Sequence, residues 1–275
     1  MSLKPILTHK KAFDPDADTL EAIETAHEQT RFSRATMERP KRKIARFMQD
    51  PETIGSASLL RPPLDIDTVV ELSAGDHCLS YLASALNTRR SASRDNLVGP
   101  VSRAQISSVL DLAVKANHEL SSSVAPGVTY ALRPYPSAGA LYPCEVYILF
   151  PGEPPYRYDA RHHQLIDYGR RLYEFSRAET GTYDTSPPCA ILVTAVLDRT
   201  MAKYGGRGYR FAVLEAGHLS QNILLASNAL GLSSLTYGSF YDGEVEQALG
   251  VDGINEVVCT AVLLGAGNAP EGEAL

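Results

Sequence analysis

Residues 211–232, FAVLEAGHLSQNILLASNALGL, make a run that is too long for a strand and that ends near Gly231, a suitable helix C-cap. A helix of about 22 residues rises roughly 33 Å at 1.5 Å per residue. Its apolar residues cover most of the circumference; they are Leu214, Leu219, Ile223, Leu224, Leu225, Ala226, Ala229 and Leu230. Because such a helix must be buried on several sides, the sequence predicts a central helix inside a domain or at a subunit interface.

A membrane span is the alternative for this helix, and four polar residues count against it. They are Glu215, His218, Gln221 and Asn222, each of which would need an internal partner in lipid. Glu215 and His218 lie three residues apart on one helical face and could form a proton relay. Buried polar groups are usually satisfied by hydrogen bonds, so we interpret these two as a buried polar pair and not as catalytic residues.

The rest of the chain interleaves helical and strand patterns, which predicts the α+β class. Helical patterns cover 17–49, 79–87, 103–118, 169–180 and DGEVEQAL, the last capped by Asp242. Strand patterns cover 144–150, two short runs within 156–167, 189–197, LSSLTYGSF and NEVVCTAVLLGAG. The prolines and glycine of PETIGSASLLRPPLDID mark a boundary near residue 75. We therefore expect an N-terminal helical extension, 1–75, and a main domain, 76–275.

Charge and cysteine content exclude several classes of function. The net charge of -6 argues against a general nucleic-acid binder, and we interpret the basic stretch 31–46 as a solvated face or a partner contact. The cysteines lie far apart, without a CxxC pair or a nearby histidine at ligand spacing: Cys78, Cys144, Cys189 and Cys259. No metal site is expected. The start of the sequence lacks a signal-peptide pattern, so we predict a cytoplasmic protein without a membrane partner.

Common cofactor motifs are missing: the sequence has no GxGxxG opening a helix, no GxxxxGK[ST] and no GxSxG. The stretch NTRRSASRDNL instead places three arginines and a serine together, at a spacing suited to one phosphate. They are Arg89, Arg90, Ser91 and Arg94. Solvated surface is the alternative interpretation for such a cluster.

Two further blocks, RPYPSAGALYPCEVY and KYGGRGYRFAVLEAGHLSQNILLASNALGL, give the pattern a family. Together with the arginine cluster, they resemble the azoline dehydrogenases of the SagB/McbC type, within the FMN-dependent nitroreductase-like superfamily. The resemblance covers about residues 75–268 and is greatest to the microcin-type oxidases. It implies a nitroreductase-like fold with a mainly antiparallel central sheet, surrounding helices and the long helix at a homodimer interface.

The resemblance also implies FMN at each of two sites between subunits. Pro136, Ser137, Ala138 and Gly139 would approach the flavin, where glycine lets the backbone come close. The arginine cluster would hold the phosphate and ribityl chain. Tyr237, Gly238 and Ser239 would lie near the pyrimidine side of the ring. Many relatives use a basic residue after the last strand for the phosphate, whereas GAGNAPEGEAL supplies none here.

Lys203 and Tyr204 match the catalytic Lys-Tyr pair of the microcin-type family. Oxidation of an azoline to an azole sends a hydride to the flavin and releases a proton, which needs a base. Arg207 and Arg210 supply nearby positive charge that would favour an unprotonated lysine. Without the resemblance, a helix cap or a solvent-facing pair would explain these two residues.

Three functions remain open from the sequence. The first is oxidation of thiazolines or oxazolines in a ribosomally made precursor peptide, in a complex with cyclodehydratase and leader-peptide-binding subunits. The second is a general NAD(P)H-dependent nitroreductase or quinone reductase. The third is a flavin-holding scaffold subunit without turnover, against which the presence of Lys203 and Tyr204 argues.

Overall fold

The computed structural model describes residues 17–50, 80–121, 129–167 and 170–267. Six strands form the main sheet, in the order β5-β4-β3-β6-β8-β7, and every neighbouring pair is antiparallel. They are β3 (Cys144–Leu149), β4 (Tyr156–Asp159), β5 (Gln164–Asp167), β6 (Cys189–Val196), β7 (Leu232–Tyr237) and β8 (Glu256–Ala266). The predicted α+β class and antiparallel sheet are confirmed.

Seven α-helices and a separate hairpin complete the described part of the chain. The helices are α1 (Ala17–Thr30), α2 (Glu38–Met48), α3 (Ser80–Thr88), α4 (Arg103–Ala113), α5 (Leu197–Tyr204), α6 (Arg207–Ala229) and α7 (Asp242–Leu249). The hairpin pairs β1 (His118–Ser121) with β2 (Thr129–Leu132).

The two faces of the sheet carry separate apolar cores because side chains alternate along each strand. In β6, Ile191 and Val193 face a core that α4 and α6 complete. Ala190 and Leu192 face a second core with Phe175 and residues of α7. The sheet is therefore covered on both faces, which explains the nearly continuous apolar runs in its central strands.

Helix α6 is the predicted central helix, and Leu219 and Ile223 are fully buried in it. It ends at Ala229, followed by Gly231 with φ +73°, as the sequence predicted. One stripe stays exposed, however, because the helix has no neighbour there within the described part of the chain. This stripe consists of Val213, Leu214, Gly217, His218 and Gln221.

Several local predictions are wrong. Residues 170–180 form no α-helix, only a 3-10 turn at Phe175–Arg177, and 168–169 lie outside the described residues. The helix predicted to reach residue 118 ends at Ala113, because His118–Ser121 pairs in the hairpin. Asp242 does not cap α7: it is the first helical residue, and its carboxylate accepts from the Phe32 N–H at 2.9 Å.

The segment after α1 packs on α7 through charged groups. Arg31 forms ion pairs with Glu28 and with the buried Glu246, and Arg34 pairs with Glu244 at 2.6 Å. These contacts attach the helical part of the predicted extension to the main sheet domain. The predicted boundary near residue 75, and Cys78, lie outside the described residues.

Replacing Leu110 by alanine should lower the free energy of unfolding by about 2–5 kcal/mol, because it leaves a cavity in the core. Leu110 is 1% exposed, whereas Leu112, on the same helix α4, is 57% exposed. Leu112→Ala is therefore the matched control and should change stability by less than about 0.5 kcal/mol. Urea unfolding of both variants measures the difference, and equal losses would contradict the assignment of the core.

Candidate active site

Pairing between β3 and β6 brings two predicted site segments to one edge of the sheet. Cys144, the first residue of β3, lies opposite Ala195, near the end of β6. The loop that precedes β3 and the helix α5 that follows β6 therefore meet at this edge. The Val196 N–H donates to the Pro143 carbonyl at 2.8 Å and closes the junction.

Arg199 holds α5 against the loop. Its guanidinium donates to the Tyr142 carbonyl at 2.8 Å and forms an ion pair with Glu145, whose side chain is largely buried. A planar guanidinium can make both contacts at once. The orientation of α5 is thereby fixed relative to the loop.

A close approach of α6 also fixes α5. A β-carbon on Gly208 would lie 2.6 Å from backbone atoms of Thr200 and Met201, so the crossing requires glycine. The Thr200 hydroxyl donates to the Gly208 carbonyl at 3.0 Å. The two helices are thus held together one turn before Lys203 and Tyr204.

Lys203 and Tyr204 converge on Gly139. A β-carbon at Gly139 would stand 2.7 Å from Lys203 Nζ and 2.7 Å from the Tyr204 hydroxyl oxygen. Lys203 Nζ lies 5.2 Å from the centre of the Tyr204 ring, which packs edge-on against Phe211. The structure thus brings the predicted catalytic pair to the predicted cofactor loop, in a contact that a side chain at residue 139 would obstruct.

The loop itself has an unusual backbone. Gly139, Ala140 and Tyr142 have φ values of +63°, +54° and +45°. Positive φ is uncommon outside glycine, and such strain persists where the surrounding structure imposes it, often at functional sites. The backbone N–H groups of Ala138 and Gly139 donate to no residue in the described part of the chain, which leaves them available to a ligand.

The Ser137 side chain joins two parts of the loop by a hydrogen bond. Its hydroxyl oxygen accepts from the Tyr142 N–H at 2.8 Å, and the hydroxyl lies close enough to the Glu215 carboxylate of α6 to oppose the rise in that acid's pKa caused by burial. Pro136 is exposed beside it, whereas Ser137 is half-buried. Ser137 is therefore engaged with the protein in this structure.

The arginine cluster lies beside β7, the edge strand that is three positions from β3 in the main sheet. The Ala92 N–H donates to the Ser234 carbonyl at 2.9 Å, and Ser91 bridges to the same residue. Arg89 lies 3.4 Å from the Ser91 hydroxyl. The exposed Arg90 donates to carbonyl groups at the end of α3.

Arg94 differs from the other members of the cluster, because its guanidinium already has an anionic partner. It forms a two-point salt bridge with Glu179, at 2.7 and 2.9 Å, and stacks over the Tyr183 ring. The Glu179 side chain is fully buried and that of Arg94 nearly so. Arg94 thus has fewer free donors for a phosphate than Arg89 and Arg90.

The segment 237–239 lies next to this salt bridge. Tyr237 is buried, and its burial, with Glu179 and Tyr183 nearby, raises its pKa. Gly238 and Ser239 are exposed, and the Ser239 carbonyl accepts from the Thr180 N–H at 2.8 Å. The predicted pyrimidine-side residues therefore belong with the arginine cluster.

A single chain does not bring the two predicted halves of the site together. The loop precedes β3, whereas the arginine cluster is bonded to β7, and β6 and β8 lie between these strands. Three strand spacings correspond to about 14 Å. Within the described residues, the loop with Lys203 and Tyr204 forms one cluster, and the arginines with residues 237–239 form another.

Sequence reasoning missed the residues that support the loop. Arg133 donates to the Tyr135 hydroxyl at 2.8 Å and to the Cys144 carbonyl at 3.0 Å. Its place at the start of the RPYPS run was a signal that could have been used. The predicted buried pair of Glu215 and His218 is wrong, because Glu215 faces the loop whereas His218 is exposed.

Residues 86–266, more than half of the chain, match the nitroreductase family, and the chain therefore belongs to that family. It is 28% identical over 178 residues to a Methanocaldococcus jannaschii protein named as a nitroreductase, across 61% of this chain and 83% of that protein. It is 27% identical over 133 residues to the microcin B17-processing protein McbC of Escherichia coli. That second match covers 44% of this chain and 49% of McbC, about half its length.

Solved structures confirm the fold. A chain of the Escherichia coli microcin synthetase McbBCD complex with truncated pro-MccB17 bound superposes with a TM-score of 0.65 at 20% identity, covering 92% of this chain and 94% of that chain. A Ralstonia eutropha protein described as a nitroreductase gives a TM-score of 0.54 at 20% identity, covering 76% and 89%. The predicted resemblance to nitroreductase-like and microcin-type proteins is confirmed.

Within residues 17–50, 80–121, 129–167 and 170–267, there is no group of three or more His, Cys, Asp or Glu side chains that could hold a metal ion. None of the helices in these ranges has the length and apolar character of a membrane span.

Gly139→Ala should displace Lys203 Nζ and the Tyr204 hydroxyl by roughly 0.7 Å, from 2.7 Å to ordinary contact at 3.4 Å. Gly152→Ala is the matched control: its φ is also positive, +74°, but its β-carbon would meet nothing within 4 Å. In both variants, backbone strain should lower the free energy of unfolding by about 1–2 kcal/mol. Crystal structures of both variants would show the shift, and an unmoved pair in Gly139→Ala would contradict the contact.

Proposed function

We propose that this protein is an FMN-dependent dehydrogenase that oxidises thiazoline or oxazoline rings of a ribosomally made peptide to thiazoles or oxazoles. The observation that carries the proposal is the convergence of Lys203 Nζ and the Tyr204 hydroxyl on Gly139. The pair is the one that the resemblance assigns to catalysis, and Gly139 belongs to the loop that it assigns to the flavin. Similarity to McbC, a microcin B17-processing protein, supports the substrate class.

The residues present suit FMN. The N–H groups of Ala138 and Gly139 are free of protein acceptors among the described residues, and Gly139 brings the backbone next to Lys203 and Tyr204 without a side chain between them. Arg89 and Arg90 supply guanidinium groups for a phosphate, with Ser91 beside them. Arg94 would serve mainly to hold this cluster in place through Glu179.

A homodimer would unite the two clusters. The exposed stripe of α6 borders a groove of about 280 Å³, whose lining includes Val213, Gly217, Gln221 and Cys259. Small and apolar residues on an exposed face of a core helix favour packing against a second copy. The loop cluster of one protomer and the arginine cluster of its partner would then form each of two sites.

The chemistry requires a hydride acceptor and a base. Bound FMN would accept the hydride from the azoline ring. The protein must take the proton that leaves the ring, and the Lys203 amine and the Tyr204 oxygen are the two groups at the loop that can do so. Because both groups lie next to Gly139, one of them can take the proton while the other holds that proton acceptor in position.

The partners follow from the substrate. Azoline rings arise from cysteine, serine or threonine residues of a peptide by loss of water, so a cyclodehydratase must act first. A leader-peptide-binding subunit would hold the precursor near both enzymes. The basic helix α2, with Lys41, Arg42 and Arg46 exposed, offers a contact surface for such a subunit. The described cysteines are free thiols, which is consistent with a cytoplasmic location.

A general nitroreductase remains the second candidate. The Methanocaldococcus jannaschii relative, named as a nitroreductase, aligns over more of this chain than McbC does. Such an enzyme would reduce nitroaromatic compounds or quinones with reduced nicotinamide. The two functions are separated by offering the purified protein an azoline-bearing peptide in air, or a nitroaromatic compound with NADPH.

Lys203→Ala and Tyr204→Phe should each retain FMN and lose azoline oxidation by roughly a hundred- to ten-thousandfold, because each removes a proton-transfer group. Mass spectrometry detects the reaction as a loss of about 2 Da per ring. Arg90→Ala is the complementary variant and should lower FMN occupancy first. Wild-type rates in both Lys203→Ala and Tyr204→Phe would refute the catalytic assignment.

Leu214→Glu should convert the dimer to a monomer and release FMN, because it places a charge on the exposed stripe of α6. Leu214 is 53% exposed in the single chain. Leu112→Glu, at a similarly exposed position on α4, should leave the dimer intact. Light scattering with flavin absorbance measures both properties, and a wild-type monomer that retains FMN would overturn the dimer.

A further inference from the structure

Glu215 is a buried acid on the central helix that no step of the proposed chemistry uses. It is 2% exposed and lies in the first half of α6, behind the loop that carries Gly139. A buried carboxylate is costly unless it is paired, and an alanine would fill a core helix position without that cost. Its presence calls for a role that a small apolar residue could not fill.

The contacts of Glu215 lead to the two ends of the loop. Its Oε1 accepts from the Cys144 N–H at 3.4 Å, where β3 begins. The Ser137 hydroxyl, where the turn begins, lies close enough to the same carboxylate to oppose the rise in its pKa. Ser137 in turn accepts from the Tyr142 N–H at 2.8 Å. One carboxylate thus ties the entry and the exit of the turn to α6.

Neighbouring charge limits the cost of this arrangement. Burial raises the pKa of Glu215, whereas the Ser137 and Cys144 donors and the Arg133 guanidinium oppose that change. Arg133 is itself held by the Tyr135 hydroxyl and the Cys144 carbonyl. Glu215 Oε2 nevertheless has no hydrogen-bond partner among the described residues. The acid is therefore retained although one of its oxygens is unsatisfied.

We propose that Glu215 is a positioning residue that holds the Ser137–Tyr142 turn in its strained form. Gly139, Ala140 and Tyr142 all have positive φ, a conformation that a free loop would leave. The Cys144 N–H bond to the buried carboxylate, and the Ser137 hydroxyl close to the same group, oppose that relaxation. The turn then keeps Gly139 beside Lys203 and Tyr204 and keeps the Ala138 and Gly139 N–H groups free of protein acceptors among the described residues.

The role in shaping the turn does not depend on the cofactor. Its consequence for FMN affinity rests on the proposed function. Two measurements therefore separate the two claims: backbone hydrogen exchange in the protein without FMN, and the Kd for FMN. A merely structural role for Glu215 would instead raise exchange throughout the sheet.

The principal variant is Glu215→Gln, which is isosteric and keeps an acceptor for the Cys144 N–H. Its amide loses the charge that attracts the Ser137 hydroxyl, the Cys144 N–H and the Arg133 guanidinium. Ser137→Ala removes one of those donors, and the double variant tests whether both residues act through one contact. Glu246→Gln is the matched control, because Glu246 is also buried and accepts from a strand N–H, that of Val258, away from the loop.

We expect Glu215→Gln to raise amide exchange at least tenfold at the hydrogen-bonded N–H groups of Ala140, Leu141, Tyr142 and Cys144, and to leave β6 and β8 protected. The Kd for FMN, from fluorescence titration, should rise at least tenfold in Glu215→Gln and in Ser137→Ala. The double variant should be no weaker than the weaker single variant. Glu246→Gln should change neither measurement at the loop.

Unchanged exchange at those four N–H groups in Glu215→Gln would overturn the proposal, and so would an increase spread over the whole sheet. Independent, multiplicative losses of FMN affinity in the double variant would also overturn it, because Glu215 would then act without Ser137. A wild-type protein that binds no FMN would refute the proposed function, while the exchange measurement would still decide the role of Glu215.

Discussion

The backbone pairing of β3 with β6 determines where the candidate catalytic groups lie. Because the strands are antiparallel neighbours at the centre of the sheet, the loop before one and the helix after the other must emerge at the same edge. Lys203 and Gly139, distant in the sequence, become neighbours for this reason. The fully buried apolar cores on both faces stabilise the pairing, so the geometry of the site depends on the hydrophobic effect as much as on its own hydrogen bonds.

The parts of the fold that sequence predicted well have strong periodicity and deep burial. Strands β6 and β8 and helix α6 satisfy both conditions, and their patterns leave little choice of structure. Helix α5 was not predicted, because it is short, polar and follows β6 without a break. The segment 170–180 reads as a helix locally, but its Glu179 pairs with Arg94 and its backbone bridges to Phe240. Such long-range contacts override local preference.

The site could be predicted in outline because motifs record which residues a family uses. They do not record what each side chain contacts in this fold. Arg94 belongs to the arginine motif, yet only the structure reveals the buried Glu179 that engages it. Glu215 was noticed for its spacing to His218, although its hydrogen-bond donor is the Cys144 N–H on another element. Helical spacing identifies neighbours on one element, whereas the contacts that matter here join different elements.

The ionic attachment of the N-terminal segment to α7 has an evolutionary consequence. Asp242 and Glu246 are acids whose pKa is raised by burial, and both are neutralised or bonded by residues 31 and 32. A chain that lost this segment would leave Asp242 without its Phe32 N–H donor and Glu246 without the Arg31 guanidinium. Loss of the extension should therefore favour neutral replacements of Asp242 and Glu246 on α7.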